Sequence, residues 1–184
     1  EQVVLTFHIK MPIFVARQPV FTPRMKIWGY ELLFRHSLQA EEASFSDETA
    51  ATSRILVDGF SLAQKGLNPK TKLLINFPRS ALLDDSASIL PSDQVIIEVL
   101  ENIIPDKIVL TACVELRRKG FTLALDDFQN QRDYKHLFQL IDLVKIDVMG
   151  LEQRDLTEMV ASLKGHGCKV LAEKVETREV FEVM

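Results

Sequence analysis

Phe121-Thr122-Leu123-Ala124-Leu125-Asp126-Asp127-Phe128 is the stretch on which the fold turns. Its apolar core has the length of a buried parallel strand, and the strand runs out into two adjacent carboxylates. Similar apolar runs lie on either side: Lys72 to Phe77 and Gln94 to Val99 before it, Leu143 to Val148 and Lys169 to Val175 after it. Just upstream, Asp106 to Lys119 carries Ile108, Val109, Ala112 and Leu116 at helical spacing. Downstream, Leu151 to Lys164 does the same with Leu156, Met159, Val160 and Leu163. Glu48 to Lys65, with Ala51, Ile55, Leu56, Phe60 and Leu62, predicts a further helix that Gly66 stops. Only the gap between Phe128 and Leu143 is short. Ile13 to Phe21 and Ile27 to Phe34 read as an opening hairpin, turned at Thr22-Pro23-Arg24, where the proline fixes φ. Strands and helices in alternation imply right-handed crossovers and a parallel sheet. No Gly-rich phosphate loop follows an early strand, so an open dinucleotide-binding sheet loses its main support and a closed α/β barrel is favoured.

Composition sets the outer bounds. The chain has 184 residues, 47% hydrophobic and 26% charged, enough for one domain with a real core. Its net charge is −4 and no stretch concentrates Lys and Arg, which argues against DNA or RNA as partner. No apolar run reaches the roughly 18 to 20 residues of a membrane helix and no signal peptide opens the chain, so no membrane and a cytoplasmic location are expected. Cys113 and Cys168 are the only cysteines, one in a predicted helix and one before a predicted strand, and both are expected to be buried rather than bridged or metal-bound. Residues 1–10 precede Met11-Pro12 and read as a tag or linker, with residues 11–184 as the barrel domain.

The polar residues stand where the apolar runs end. Glu31, Asn76, Glu98, Asp126-Asp127, Lys145 and Glu173 close successive strands. In a parallel barrel those ends converge on one mouth, where such folds place their sites. Carboxylates with one amide oxygen make a hard shell suited to Mg²⁺ or Mn²⁺, and crowded acids make physical sense chiefly with cations among them. Asp126 and Asp127 could serve a pair of ions that polarise a phosphodiester, and Lys145 could hold the attacking water or a phosphate oxygen. Each residue also has a plainer reading. A lone acid at a strand end is more often a helix cap or a loop group; Asp127 and Asp147 could cap, Asn76 could turn the chain, and Lys145 could neutralise Asp126. What favours a site is the recurrence at strand end after strand end.

These same residues carry a resemblance to the EAL domain family. Gln18-Pro19 resembles its opening Gln-Pro, and Gly29-Tyr30-Glu31-Leu32-Leu33-Phe34-Arg35 its signature strand. Glu98 and Glu101 resemble its Glu-x-x-Glu, Asp126-Asp127-Phe128 its Asp-Asp-Phe, and Lys145-Ile146-Asp147 its lysine strand. Ala172-Glu173-Lys174-Val175-Glu176-Thr177 is similar to its Ala-Glu-Gly-Val-Glu-Thr. The resemblance implies a TIM-like (β/α)₈ barrel with an antiparallel first strand, two Mg²⁺ or Mn²⁺ ions, and hydrolysis of cyclic-di-GMP to the linear dinucleotide. It implies Glu31, Asn76, Glu98, Asp126, Asp127 and Glu173 as metal ligands. Lys145, Glu173 and Glu101 would serve catalysis, and Gln18 and Arg35 would contact cyclic-di-GMP. Tyr30 to Arg35, Leu123 to Phe128 and Leu171 to Thr177 look most like the subgroup in which an HDOD domain follows the barrel, a subgroup generally regarded as degenerate.

Several departures bear on activity. Leu32 stands for the signature Ala, and Lys174 replaces a Gly beside Glu173, where a long cation could substitute for a metal or repel it. Gln129 to Tyr134 replaces the family's Gly-Thr-Gly-Tyr-Ser-Ser loop, which orders the second metal and mediates dimerisation. The chain stops at Met184, before the family's last strand, so the barrel is expected to lack that strand and to be C-terminally incomplete. These departures favour a non-catalytic signalling module, either a cyclic-di-GMP receptor or a protein-interaction scaffold, with signalling proteins or an HDOD domain of the parent chain as partners. The rival is an active two-metal phosphodiesterase; a barrel enzyme acting on another phosphorylated substrate is a third reading, and a homodimer stays open.

Overall fold

The structure is a computed structural model, and it describes residues 14–35, 56–128 and 135–183. Strand β1 (Phe14–Phe21) and strand β2 (Ile27–Arg35) form the expected antiparallel hairpin. Met25 N–H donates to the Thr22 carbonyl at the turn, with Met25 at φ 55°. A helix, α1, occupies residues 56–63; the earlier part of the helix expected from Glu48 lies outside the described residues. Then come β3 (Lys72–Phe77), α2 (Arg79–Leu83), a 3-10 turn (Ser86–Ile89), β4 (Val95–Val99), α3 (Lys107–Arg118) and β5 (Thr122–Leu125). Next are α4 (Lys135–Phe138), β6 (Leu143–Asp147), α5 (Gln153–Gly165), β7 (Lys169–Glu173) and α6 (Arg178–Val183). The expected strands and the two long helices all form, within about two residues of their expected ends except β5, which stops at Leu125, three residues short of Phe128. Four short pieces were not foreseen: α2, the 3-10 turn, α4 and α6, each too brief to show a helical period.

Helix α3 starts where it does because Asp106 accepts from the Ile108 and Val109 N–H groups, satisfying two donors the first turn would otherwise leave open. Its Val109, Cys113 and Leu116 stripe is buried against the sheet. Cys168 is also buried, as expected, with its thiol 3.4 Å from the Ile141 carbonyl.

The seven strands lie in the order of the sequence, β1 to β7, and every pair after the first is parallel. A flat sheet would separate β2 from β6 by about 19 Å at the usual strand spacing. Lys145 on β6 nevertheless touches the Glu31 carboxylate on β2, so the sheet is curled and its concave face is the inside of a barrel wall.

Strand alternation sorts the apolar residues into two cores. Leu73, Ile75, Ile97, Val99, Leu123, Val144 and Ile146 point outward and pack under the helices in the larger one. Val20, Leu74, Ile96, Ala124 and Leu143 point inward as a smaller core, with Leu171 against it. The candidate polar residues follow this inner layer two positions on: Leu74 then Asn76, Ile96 then Glu98, Ala124 then Asp126, Leu143 then Lys145, Leu171 then Glu173. Because side chains repeat on one face every second residue, the inner apolar layer is the floor of whatever site those residues form. On β2 the floor position is Gly29, where a Cβ would stand 2.7 Å from the Lys72 carbonyl oxygen of the neighbouring strand.

Candidate functional site

Lys145 is the hub. Its ammonium lies 2.8 Å from Asp126, 3.0 Å from Glu98, 3.0 Å from Glu173 and 3.2 Å from Glu31, so one buried cation faces acids from β2, β4, β7 and the end of β5. The Lys145 side chain is 1% exposed and Glu98 0%, whereas Glu173 is 22% exposed and opens toward the mouth. Register accounts for the convergence. Asn76 pairs with Glu98, Glu98 with Ala124, and Asp126 follows two residues later, so each strand steps its polar residue up the wall onto the same level.

The electrostatics follow from burial and crowding. Burial, with Glu31 and Asp126 adding repulsion, pushes the Glu98 carboxyl up to about 8 although Lys145 pulls the other way. Burial likewise raises Glu173, again against the pull of Lys145. For Lys145 burial acts to lower the pKa, but Glu98, Asp126 and Glu173 together more than offset it and hold the ammonium above its ordinary range. Lys145 Nζ lies 3.0 Å from Glu98 Oε1, which it satisfies as a charged partner, while among the described residues Glu98 Oε2 and the buried Asn76 Oδ1 lack a hydrogen-bond donor. Orphaned buried acceptors of this kind call for a partner.

The other expected site residues are placed as follows. Asp127 is half-buried beside Asp126 with φ 43°, a left-handed backbone that turns it off the strand line. Gln18 is exposed on β1 and stands directly opposite Glu31 in the antiparallel register, hence on the same face. Arg35 ends β2, four residues beyond Glu31. Glu101 is exposed in the turn after β4. Asp147 takes the plainer of its two readings: it accepts from the Met149 N–H and pairs with the Lys174 ammonium.

That pairing takes up the Lys174 ammonium: the residue sits at φ 55° and its side chain reaches across to Asp147, while Asp127 and Glu173 still lie within range of its charge and help to raise its pKa. The replacement loop Gln129 to Tyr134 lies outside the described residues. A hollow of about 490 Å³ lined by Pro78, Leu100, Ile103 and Ile104 opens beyond the ends of β3 and β4 and includes none of the cage residues.

Do these residues fit a divalent cation? Their donor set is hard oxygen, four acids surround one ammonium, and Asn76 Oδ1 and Glu98 Oε2 are unsatisfied, all of which suit Mg²⁺ or Mn²⁺. Among the described residues no three Asp, Glu, His or Cys groups yet stand in coordination geometry. The oxygens are arranged around Lys145 at ammonium distances, 2.8 to 3.2 Å. The chemistry fits. Sequence reasoning named the acids of the cage but gave Lys145 a single acid to neutralise. A lone Lys in the apolar run Leu143 to Ile146 was the available signal for a buried counter-ion.

The EAL domain family model matches residues 13–184. A protein of Vibrio cholerae named cyclic di-GMP phosphodiesterase CdgJ is 34% identical over 91% of this chain and 40% of its own length. The uncharacterized protein YuxH of Bacillus subtilis is 31% identical over 94% of this chain and 43% of its own. This chain thus spans less than half of either relative. Among solved structures, Klebsiella pneumoniae BlrP1 in complex with calcium and cyclic-di-GMP superposes with a TM-score of 0.73 at 26% identity, over 94% of this chain and 52% of that one. The Bacillus subtilis YkuI protein, which has an EAL domain and was solved with cyclic-di-GMP and calcium, gives 0.71 at 17% identity over 93% and 51%, a likeness of fold alone.

Proposed function

The chain belongs to the EAL domain family, and on that premise we propose that its strand-end cage is a divalent-metal site that takes cyclic-di-GMP and hydrolyses it to the linear dinucleotide. The observation that carries this reading is the cage itself: Glu31, Glu98, Asp126 and Glu173 converge from separate strands, with the unsatisfied Asn76 Oδ1 among the same strand ends. An anionic phosphodiester would be repelled by so many acids around one ammonium, so cations are a condition of binding. Glu31, Asn76, Glu98, Asp126, Asp127 and Glu173 would hold them. When bound, a pair of divalent ions supplies polarisation of the phosphodiester and a water acidic enough to attack it. Lys145 then donates from its ammonium to the water or to a phosphate oxygen. Gln18, which pairs with Glu31 in the register, and Arg35, at the end of β2, would contact a ligand phosphate or base. The apolar floor of Leu74, Ile96, Ala124 and Leu143 keeps water from below.

This ranks the catalytic reading above the non-catalytic one, the reverse of the order drawn from sequence. One reason is that the Lys174 ammonium, counted against a metal, has a partner of its own in Asp147, with Asp127 and Glu173 only within range of its charge. The receptor reading keeps one specific support, the replacement of the Gly-Thr-Gly-Tyr-Ser-Ser loop by Gln129 to Tyr134. Mg²⁺ or Mn²⁺ as the working ion, a cytoplasmic setting, and an HDOD domain or other signalling partner belong to the same proposal, as does the division at residue 11. Among the described residues no helix is long and apolar enough to cross a membrane. The test is chromatography of cyclic-di-GMP after incubation with the protein in Mg²⁺ or Mn²⁺ and in EDTA. Linear product that needs the metal is expected; binding without product in either metal would leave the receptor reading.

A further inference from the structure

Divalent-ion sites rich in carboxylates face a problem when empty, because the acids repel one another and water cannot reach the buried ones. Here the four acids are not left to themselves. The Lys145 ammonium lies within 3.2 Å of all of them, is itself 1% exposed, and among the described residues is the only cation in contact with any of them. Its strand, β6, lies between β5 and β7, so the side chain rises from the floor residue Leu143's own face into the centre of the cage.

We propose that Lys145 is the resident cation of the metal-free site, occupying the place between the four carboxylates that a divalent ion takes, so that metal binds by exchange for the ammonium. The inference rests on the metal reading above. A divalent ion drawn to these same four carboxylates would stand within a few ångström of the ammonium at low dielectric, where repulsion is large. Lys145 is in this sense a positioning residue as well: it holds acids from separate strands at one level before any ion arrives, and on exchange it is released toward the mouth, where a phosphate oxygen would be.

Two measurements test this on the whole chain. The first compares the wild type with Lys145→Met, by calorimetric titration with Mn²⁺ and by melting in EDTA and in saturating Mn²⁺. Lys145→Met is expected to bind Mn²⁺ on the order of tenfold more tightly, the size of an ordinary coupling between two competing ligands. It is expected to melt below the wild type in EDTA and to recover most of that loss in Mn²⁺. Equal Mn²⁺ affinity in the two proteins would overturn the exchange while leaving the metal site intact; binding in neither would overturn the metal reading and the exchange together. Should Lys145→Met fail to fold in EDTA, refolding on addition of Mn²⁺ is the supporting result. The second needs no variant. In the wild type, the Nζ resonance of Lys145 in ¹⁵N-lysine-labelled protein should be protected from solvent exchange in EDTA and should shift or broaden away on adding Mg²⁺. A resonance unmoved by saturating Mg²⁺ would overturn the proposal.

Discussion

Glu98 is fully buried in the cage, and burial moves its proton far from the ordinary carboxyl range. Its folded pKa, about 8, lies above the unfolded value of 4.5. A group raised in this way contributes stability that is fully present below the unfolded value and is lost as pH rises through the folded one. Glu173 is raised as well and acts in the same direction, whereas Lys145, held above its ordinary range, keeps its contribution across this window. In EDTA the wild type should therefore melt at progressively lower temperature between about pH 5 and about pH 9. Glu98→Gln should flatten most of that slope, since the amide keeps the shape and never ionises. A slope unchanged in Glu98→Gln would mean that another group carries it. The same proton opposes metal binding, so Mn²⁺ affinity should climb over this range.

Lys174 makes the second prediction at this scale. A non-glycine residue held left-handed costs about 1 to 2 kcal/mol. Its exposed pair with Asp147 is screened by solvent and contributes little against that. Lys174→Gly should accordingly be neutral to stabilising by urea melting, and cyclic-di-GMP affinity should stay put. A large loss of ligand affinity in Lys174→Gly would bring that side chain back into the site. The acids of the cage could be read from the sequence because Glu98, Asp126 and Glu173 stand at or just past the end of an apolar run; Glu31, expected to close its strand, lies instead in the middle of β2. The direction of Lys174 could not, because the choice between Glu173 and Asp147 depends on a backbone turn that no pattern of residue types records.

At the level of elements, the parallel strands were legible because burial on both faces leaves near-continuous apolar runs, and α3 and α5 because each keeps a helical stripe for more than ten residues. The short α2, α4 and α6 span six residues or fewer and are held by what they pack on rather than by their own period. Less visible in the sequence was why β2 carries Gly29 two residues before Glu31. The glycine lets β2 pass close to β3, with no room for a Cβ against the Lys72 carbonyl. Gly29→Ala would have to push the two strands apart, at a cost of about 1 to 3 kcal/mol for an overpacked site. It should also lift Glu31 out of the cage, so that Mn²⁺ affinity falls along with stability. Loss of stability with unchanged Mn²⁺ affinity would show that Glu31 is placed independently of this contact.

Across the whole molecule, the curled sheet and the cage depend on each other. The curl brings acids from strands that a flat sheet would keep far apart to one ammonium, and the two-layer core keeps the inner face dry enough for their charges to matter. Fold class followed from alternation and from the missing phosphate loop; the strand order and the degree of closure did not, because both are properties of the assembled wall. The central claim is that this mouth binds cyclic-di-GMP only through divalent cations. Calorimetric titration of cyclic-di-GMP into wild type and Asp126→Asn, each in Mn²⁺ and in EDTA, tests it most directly. The account predicts binding to the wild type in Mn²⁺, none in EDTA, and a loss of at least about tenfold in Asp126→Asn, as for removal of a metal-site group. Equal binding with and without the metal would contradict it.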